Sequence, residues 1–283
     1  KGGIMSLSAS LAGIDTINLI SLMAVVFIGL PHGAMDGALA AHFGWMEKPA
    51  KVVGFLLTYV LLAAIVVGIW LVAPVISFIV FLGISMLHFG RGDISQSSRA
   101  NALMESMARG GLVIGGISLF HRTEVELIFQ ALVGDETGMV WLFLESIVVV
   151  TLLSIGLTAL TKTGNDRGYF LAEISGLSVL FYLTPPLFGF AFYFCLVHTS
   201  RHVSNMQSIL KDTISKFNIK GSTLALSLLT WAVGLVILAQ QSSNVGLEDA
   251  LLQVIFIGLA ALTVPHMILV DGIVERKEGT KIA

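Results

Sequence analysis

Residues 51–72 read KVVGFLLTYVLLAAIVVGIWLV, a stretch in which Lys51 is the only charge. Wound as an α-helix at about 1.5 Å per residue it is about 33 Å long, enough to cross the roughly 30 Å of hydrocarbon in a bilayer. It has no polar face, so it is not the half-solvated helix of a water-soluble core. Outward from this stretch the same scale repeats, giving nine apolar runs at 12–32, 51–72, 74–90, 101–120, 138–160, 168–184, 186–203, 222–241 and 249–273. A transmembrane barrel would instead alternate over about ten residues per strand. Composition agrees: 55% of the 283 side chains are hydrophobic and 12% charged, about half the charged fraction of an ordinary soluble domain. The chain reads as one all-α, polytopic transmembrane bundle over residues 1–283. The run at 101–120 carries Glu105, Arg109 and several glycines and reads as a buried or partly re-entrant helix. Thr123–Val133 is too short to cross and reads as a surface helix.

Orientation follows from the basic residues, which concentrate in cytoplasmic loops. Lys48, Lys51, Arg91, Arg99, Lys162, Arg167, Arg201, Lys211, Lys216, Lys220, Arg276, Lys277 and Lys281 fall at one end of the bundle. The other end holds only Lys1 and Arg122. That separation predicts an N-terminus outside and a C-terminus in the cytoplasm, as a multi-pass protein of the inner (cytoplasmic) membrane. A net charge of −2 leaves no basic surface for nucleic acid. The single cysteine, Cys195, excludes intrachain disulfides and multi-thiolate metal sites, so any metal must be held by nitrogen or oxygen.

Seven histidines are then the feature to explain. His32, His88, His198, His202 and His266 all lie near the cytoplasmic ends of odd-numbered runs, although none was used to set the orientation. His42 and His121 read as interfacial. An isolated intramembrane histidine is most simply a hydrogen-bonded bundle residue. Five at one depth point instead to a metal, because neutral imidazole binds a cation without adding charge to be desolvated. His198 and His202, four apart, project from one helix face. An all-imidazole set suits Fe(II), Cu, Zn or Ni rather than Mg or Ca. On an octahedral iron, four histidines leave two positions open. Asp36, four residues after His32, Asp271, five after His266, and Arg201, inside the paired-histidine segment, are candidates to orient the ligands. Glu105 and Arg109 suggest an i, i+4 ion pair, and Glu173 has no evident partner.

Helical spacing back from the histidines brings up Phe190 and Phe194 before His198, Phe81 and Ile84 before His88, and Leu262 and Thr263 before His266. These walls are almost all carbon, and no polar track crosses the bilayer as an ion or sugar path would require. The pattern predicts a lipid-soluble substrate.

Pro31-His32-Gly33-Ala34-Met35-Asp36, Leu87-His88-Phe89-Gly90, His198-Thr199-Ser200-Arg201-His202 and Pro265-His266 through Asp271 resemble the Brp/Blh family of membrane β-carotene 15,15′-dioxygenases over nearly the whole chain. The resemblance implies cleavage of the central double bond of β-carotene with O₂ and Fe(II) to give two all-trans-retinal. It further implies that His32, His88, His198 and His202 are iron ligands, that His266 lies on or beside the metal, and that the retinal supplies rhodopsins. Two other classes remain open. A membrane di-iron oxidase or desaturase-like enzyme would need more ligands and His-His dipeptides, which the sequence lacks. A retinoid or metal transporter would place broken helices and polar groups at mid-membrane.

Overall fold

A computed structural model of the chain describes residues 15–94, 99–210 and 219–274. Among them there are helices and short joints, and no strand. The first rod starts at α1 (Thr16–Ala24), where the Asp15 carboxylate accepts from the N–H groups of Ile17 and Asn18 and caps the helix. It continues through a π segment (Val25–Gly29) and a 3₁₀ segment (Leu30–Met35) into α2 (Asp36–His42). Next come α3 (Pro49–Val72) and α4 (Pro74–Gly92), separated at Ala73 because Pro74 cannot continue a helix but suits the first turn of a new one. α5 (Arg99–Gly111), a π segment (Leu112–Gly116) and α6 (Ile117–Phe120) form the next rod, followed by the short α7 (Arg122–Val133), α8 (Gly138–Thr161) and α9 (Gly164–Leu183). α10 (Pro186–Phe192), a π segment (Tyr193–His198) and α11 (Thr199–Ile209) run on as one rod. α12 (Ile219–Val245), α13 (Leu247–Met267) and a last π segment (Ile268–Val274) complete the description.

Seven helices among the described residues are long and apolar enough to cross a membrane: 16–42, 49–72, 74–92, 101–120, 138–161, 221–245 and 247–273. The runs expected at 168–184 and 186–203 are helical but fall outside that set. Glu173 sits in the first, and His198, Arg201 and His202 dilute the second. Of the basic residues used for orientation, Lys1, Lys211, Lys216, Arg276, Lys277 and Lys281 lie outside the described residues, as do the Arg99 and Lys220 side chains.

The helix over 101–120 is the most interior of the seven, with 67% of its apolar window buried, against 0% for α3 and 6% for α12. That explains its charges and glycines: it faces protein. α3 and α12 expose leucine and valine along their length, Leu57, Leu61, Leu71 and Leu235 among them, a surface suited to lipid. The short α7 lies over the opposite end, with Val125, Phe129, Leu132 and Val133 turned inward. Trp70 donates its indole N–H to the Leu132 carbonyl at 3.3 Å and ties α3 to it.

α4 and α5 cross at backbone contact. A methyl built on Gly90 would stand 2.0 Å from the Ser106 carbonyl oxygen, and one on Gly110 1.8 Å from that of Met86. Only glycine permits this approach, which draws the end of the His88 helix onto the interior rod. Gly110→Ala should therefore lower stability by about 1–3 kcal/mol or more through overpacking. Gly156→Ala in α8, where a methyl meets nothing within 4 Å, should be neutral or stabilising by up to about 1 kcal/mol. Thermal unfolding in one detergent checks both, and equal effects would contradict the crossing.

Candidate metal centre

Three rods deliver four buried imidazoles to one place. His88 comes from the last turn of α4, His198 from the end of the π segment 193–198, His202 from α11 one turn later, and His266 from the end of α13. Their ring centroids form a closed circuit: His88 to His198 5.0 Å, His198 to His202 6.2 Å, His202 to His266 5.1 Å, and His266 to His88 5.2 Å. Two imidazoles on one ion, with bonds near 2.1 Å, place their centroids about 4.5–5.2 Å apart at angles of about 90–109°, and about 6.4 Å apart when opposite. Three of the four spacings fall in the first range, and the His198–His202 spacing of 6.2 Å lies near the second. Among the described residues no three His, Cys, Asp or Glu are placed so that they could hold a metal ion as they stand. In chemistry the four imidazoles suit a nitrogen-ligated transition metal.

The His32 side chain lies outside the described residues. Its backbone belongs to the 3₁₀ segment Leu30–Met35, which packs against α11 and α13, the helices that carry His202 and His266. Irregular helix adjoins the other sites too. Pro265 precedes His266 inside α13, and the chain then winds as a π-helix through Asp271. Such local rewinding re-aims side chains and is typical of functional sites.

Two carboxylates back the ring. Asp36 lies 2.9 and 3.1 Å from Nδ1 of His266 and accepts the Tyr59 hydroxyl at 2.9 Å. Asp271 lies 3.4 Å from Nδ1 of His88, with Arg91 at 4.0 Å on the same oxygen. The spacings suggested Asp36 beside His32 and Asp271 beside His266. The carboxylates also reach imidazoles on other rods, Asp36 meeting His266 and Asp271 meeting His88, which spacing along one helix does not reveal. A carboxylate at Nδ1 holds the proton there and leaves Nε2 with its lone pair. Arg201 meets neither: it pairs with Asp93 at 2.8 Å and Glu173 at 2.7 Å. Glu173 also takes Arg109 at 2.7 Å, Arg109 takes Glu105 at 3.0 Å, and Glu105 takes Lys162 at 2.9 Å. The expected Glu105–Arg109 pair is thus one link in a chain of three cations and three carboxylates. His121 and His42 stand apart, the first 2.7 Å from the Phe181 carbonyl oxygen, the second against Phe43.

Above His88 and His266 opens a cavity of about 1340 Å³. Phe81, Phe190, Phe194, Leu262 and Thr263 line it as expected, and Ile84 does not. Phe190 and Phe194 stack at 5.5 Å, and Phe194 lies nearly parallel to His198 at 6.0 Å. The cavity is lined along α13 from Leu251 to His266, about 22 Å of helix, with the imidazoles at its end. Sequence reasoning missed Tyr59 and Trp231, both on its wall. A lone hydroxyl inside the otherwise apolar 51–72 run was the available signal for Tyr59.

The β-carotene 15,15′-dioxygenase family model matches residues 23–273. The chain belongs to the β-carotene 15,15′-dioxygenase family. It is 38% identical over 262 residues to a β-carotene 15,15′-dioxygenase of the uncultured marine bacterium 66A03, covering 92% of this chain and 94% of that protein. It is 26% identical over 302 residues to a probable β-carotene 15,15′-dioxygenase, Blh, of Halobacterium salinarum, covering 90% and 83%. No solved structure gives a significant match. The family and the carbon-walled cavity agree, since a hydrocarbon polyene offers a protein only shape and dispersion to recognise.

The Tyr59–Asp36–His266 arrangement makes a quantitative prediction. In a double-mutant cycle of Tyr59→Phe and Asp36→Asn, thermal unfolding should show coupling of about 0.5–3 kcal/mol. Additive effects would mean that the hydroxyl and the carboxylate do not interact.

Proposed function

We propose that this chain cleaves the central 15,15′ double bond of β-carotene with O₂, giving two molecules of all-trans-retinal, at a single non-haem Fe(II) held by histidines. The observation that carries the reading is the circuit of four buried imidazoles at the end of a hydrocarbon-lined cavity, in a chain of this family. His88, His198 and His202 would hold the iron with His32, and His266, braced by Asp36 and Tyr59, faces the same centre. When bound, iron supplies the activation of dioxygen that a carbon–carbon double bond requires.

The remaining work is done by residues of the chain. Phe190 and Phe194 offer a stacked aromatic wall leading to His198, against which a conjugated chain can lie flat. The apolar cavity excludes water from the oxidation and aligns the reacting bond with the imidazole end. Asp36 and Asp271 meet Nδ1 of His266 and His88 and fix the orientation of both rings. No general base or nucleophile is needed.

We further propose nine spans, counting α9 and the α10–α11 rod, in the inner membrane with the N-terminus outside and the imidazoles toward the cytoplasm. The exposed apolar faces of α3 and α12 support contact with lipid, from which the substrate is drawn. Release of retinal there would supply rhodopsins in the same membrane.

His198→Ala and His202→Ala should each lose both bound iron and retinal formation, with helical content retained. Elemental analysis and chromatography of β-carotene incubations under air read the two quantities. Full activity in iron-replete His202→Ala protein would overturn the ligand set. Two irons per chain would favour a di-iron enzyme, and retinoid transport without cleavage a transporter.

A further inference from the structure

Asp93 has no part in the reading above, yet it joins two of the helices that carry the imidazoles. It follows the last turn of α4, five residues after His88, and its side chain is almost wholly buried. One of its oxygens accepts the Tyr193 hydroxyl at 2.8 Å, and the other pairs with Arg201 at 2.8 Å. Tyr193 and Arg201 bracket His198 on a single rod, five residues before it and three after. Arg201 also lies next to His202.

On a regular α-helix, residues eight apart differ by about 80° in direction. One carboxylate would not readily meet both. The π segment Tyr193–His198 removes the difficulty, since it adds one residue to the turn. The extra residue shows in the hydrogen bonds, where both the N–H and the hydroxyl of Thr199 reach the Phe194 carbonyl, five residues back. With it, Tyr193 and Arg201 fall within about 20° of each other, as residues seven apart would on a regular helix. The winding that lets Asp93 grip the rod at two points is therefore the winding that sets the direction of His198 and His202.

Beyond Arg201 the ion chain runs on through Glu173, Arg109 and Glu105 to Lys162. These links anchor the rod to α9, α5 and the end of α8, and within this chain of ion pairs Asp93 is the member that follows the helix bearing His88.

We infer that Asp93 is a positioning residue for the metal centre: through Tyr193 and Arg201 it fixes the height and rotation of the His198/His202 rod against His88. The inference rests on the imidazole set binding a metal, and the test separates the two. The full chain in detergent, stripped of metal, is titrated with Co(II), whose visible bands report both affinity and ligand geometry. Asp93→Asn and Tyr193→Phe, with helical content like that of the unsubstituted protein, should bind Co(II) at least tenfold and several-fold more weakly, with shifted bands. Loaded with Fe(II), they should keep KM for β-carotene within about threefold while kcat falls. Lys162→Gln cuts the same chain at its far end and should lower thermal stability with Co(II) affinity within about twofold. If Asp93→Asn does not fold, Tyr193→Phe, which removes one oxygen atom, carries the test alone. Unchanged Co(II) binding in Tyr193→Phe and in folded Asp93→Asn overturns the inference, as does an equal loss of affinity in Lys162→Gln. Failure of the unsubstituted protein to bind Co(II) overturns the metal reading itself.

Discussion

Polar groups inside hydrocarbon must find their partners within the protein, because neither water nor lipid will satisfy them. The architecture of this chain follows from that constraint. Among the described residues its buried charged and histidine side chains do not scatter; they gather into two connected sets at one end of the bundle. One set is the circuit of imidazoles with Asp36, Tyr59 and Asp271 behind it. The other is the chain from Lys162 to Asp93, in which three cations balance three carboxylates. A single unpaired member would be costly to bury, whereas a neutral, fully linked chain is tolerable. The two sets meet where Arg201 and Tyr193 bracket His198.

The helical irregularities serve the same constraint. Regular helices deliver side chains at fixed angles, and four imidazoles from three rods would not face one point by that rule alone. π segments before His198 and after His266, the 3₁₀ turn at His32 and the proline at position 265 rewind the rods where a side chain must be turned. Glycines at 90 and 110 bring the His88 helix to backbone contact with the interior rod. The rest of the cavity wall remains apolar, matching a substrate that has nothing to hydrogen-bond.

Much of this was legible in the sequence, for identifiable reasons. The 51–72 run announced a membrane bundle because length and apolarity are local properties. The gathering of His88, His198, His202 and His266 was legible because all four lie near the ends of apolar runs. Phe81, Phe190, Phe194, Leu262 and Thr263 came from helical periodicity, which fails at Ile84, one position off the lining face. Contacts between rods were not legible. Asp36 reaches His266 across 230 residues and Asp271 reaches His88 across 183, and Glu173 finds its two arginines on two other rods. The π segments were equally hidden, since their extra residue leaves no mark in hydropathy. Without them the pairing of Arg201 with Asp93 and of Tyr193 with the same carboxylate has no sequence signature.

X-ray absorption at the iron edge of the Fe(II)-loaded protein tests the central claim most directly. The prediction is one iron per chain with a first shell dominated by nitrogen at about 2.1 Å, the multiple-scattering pattern of several imidazoles, and no iron–iron vector. A shell dominated by carboxylate oxygen, or a second iron within about 4 Å, would contradict it.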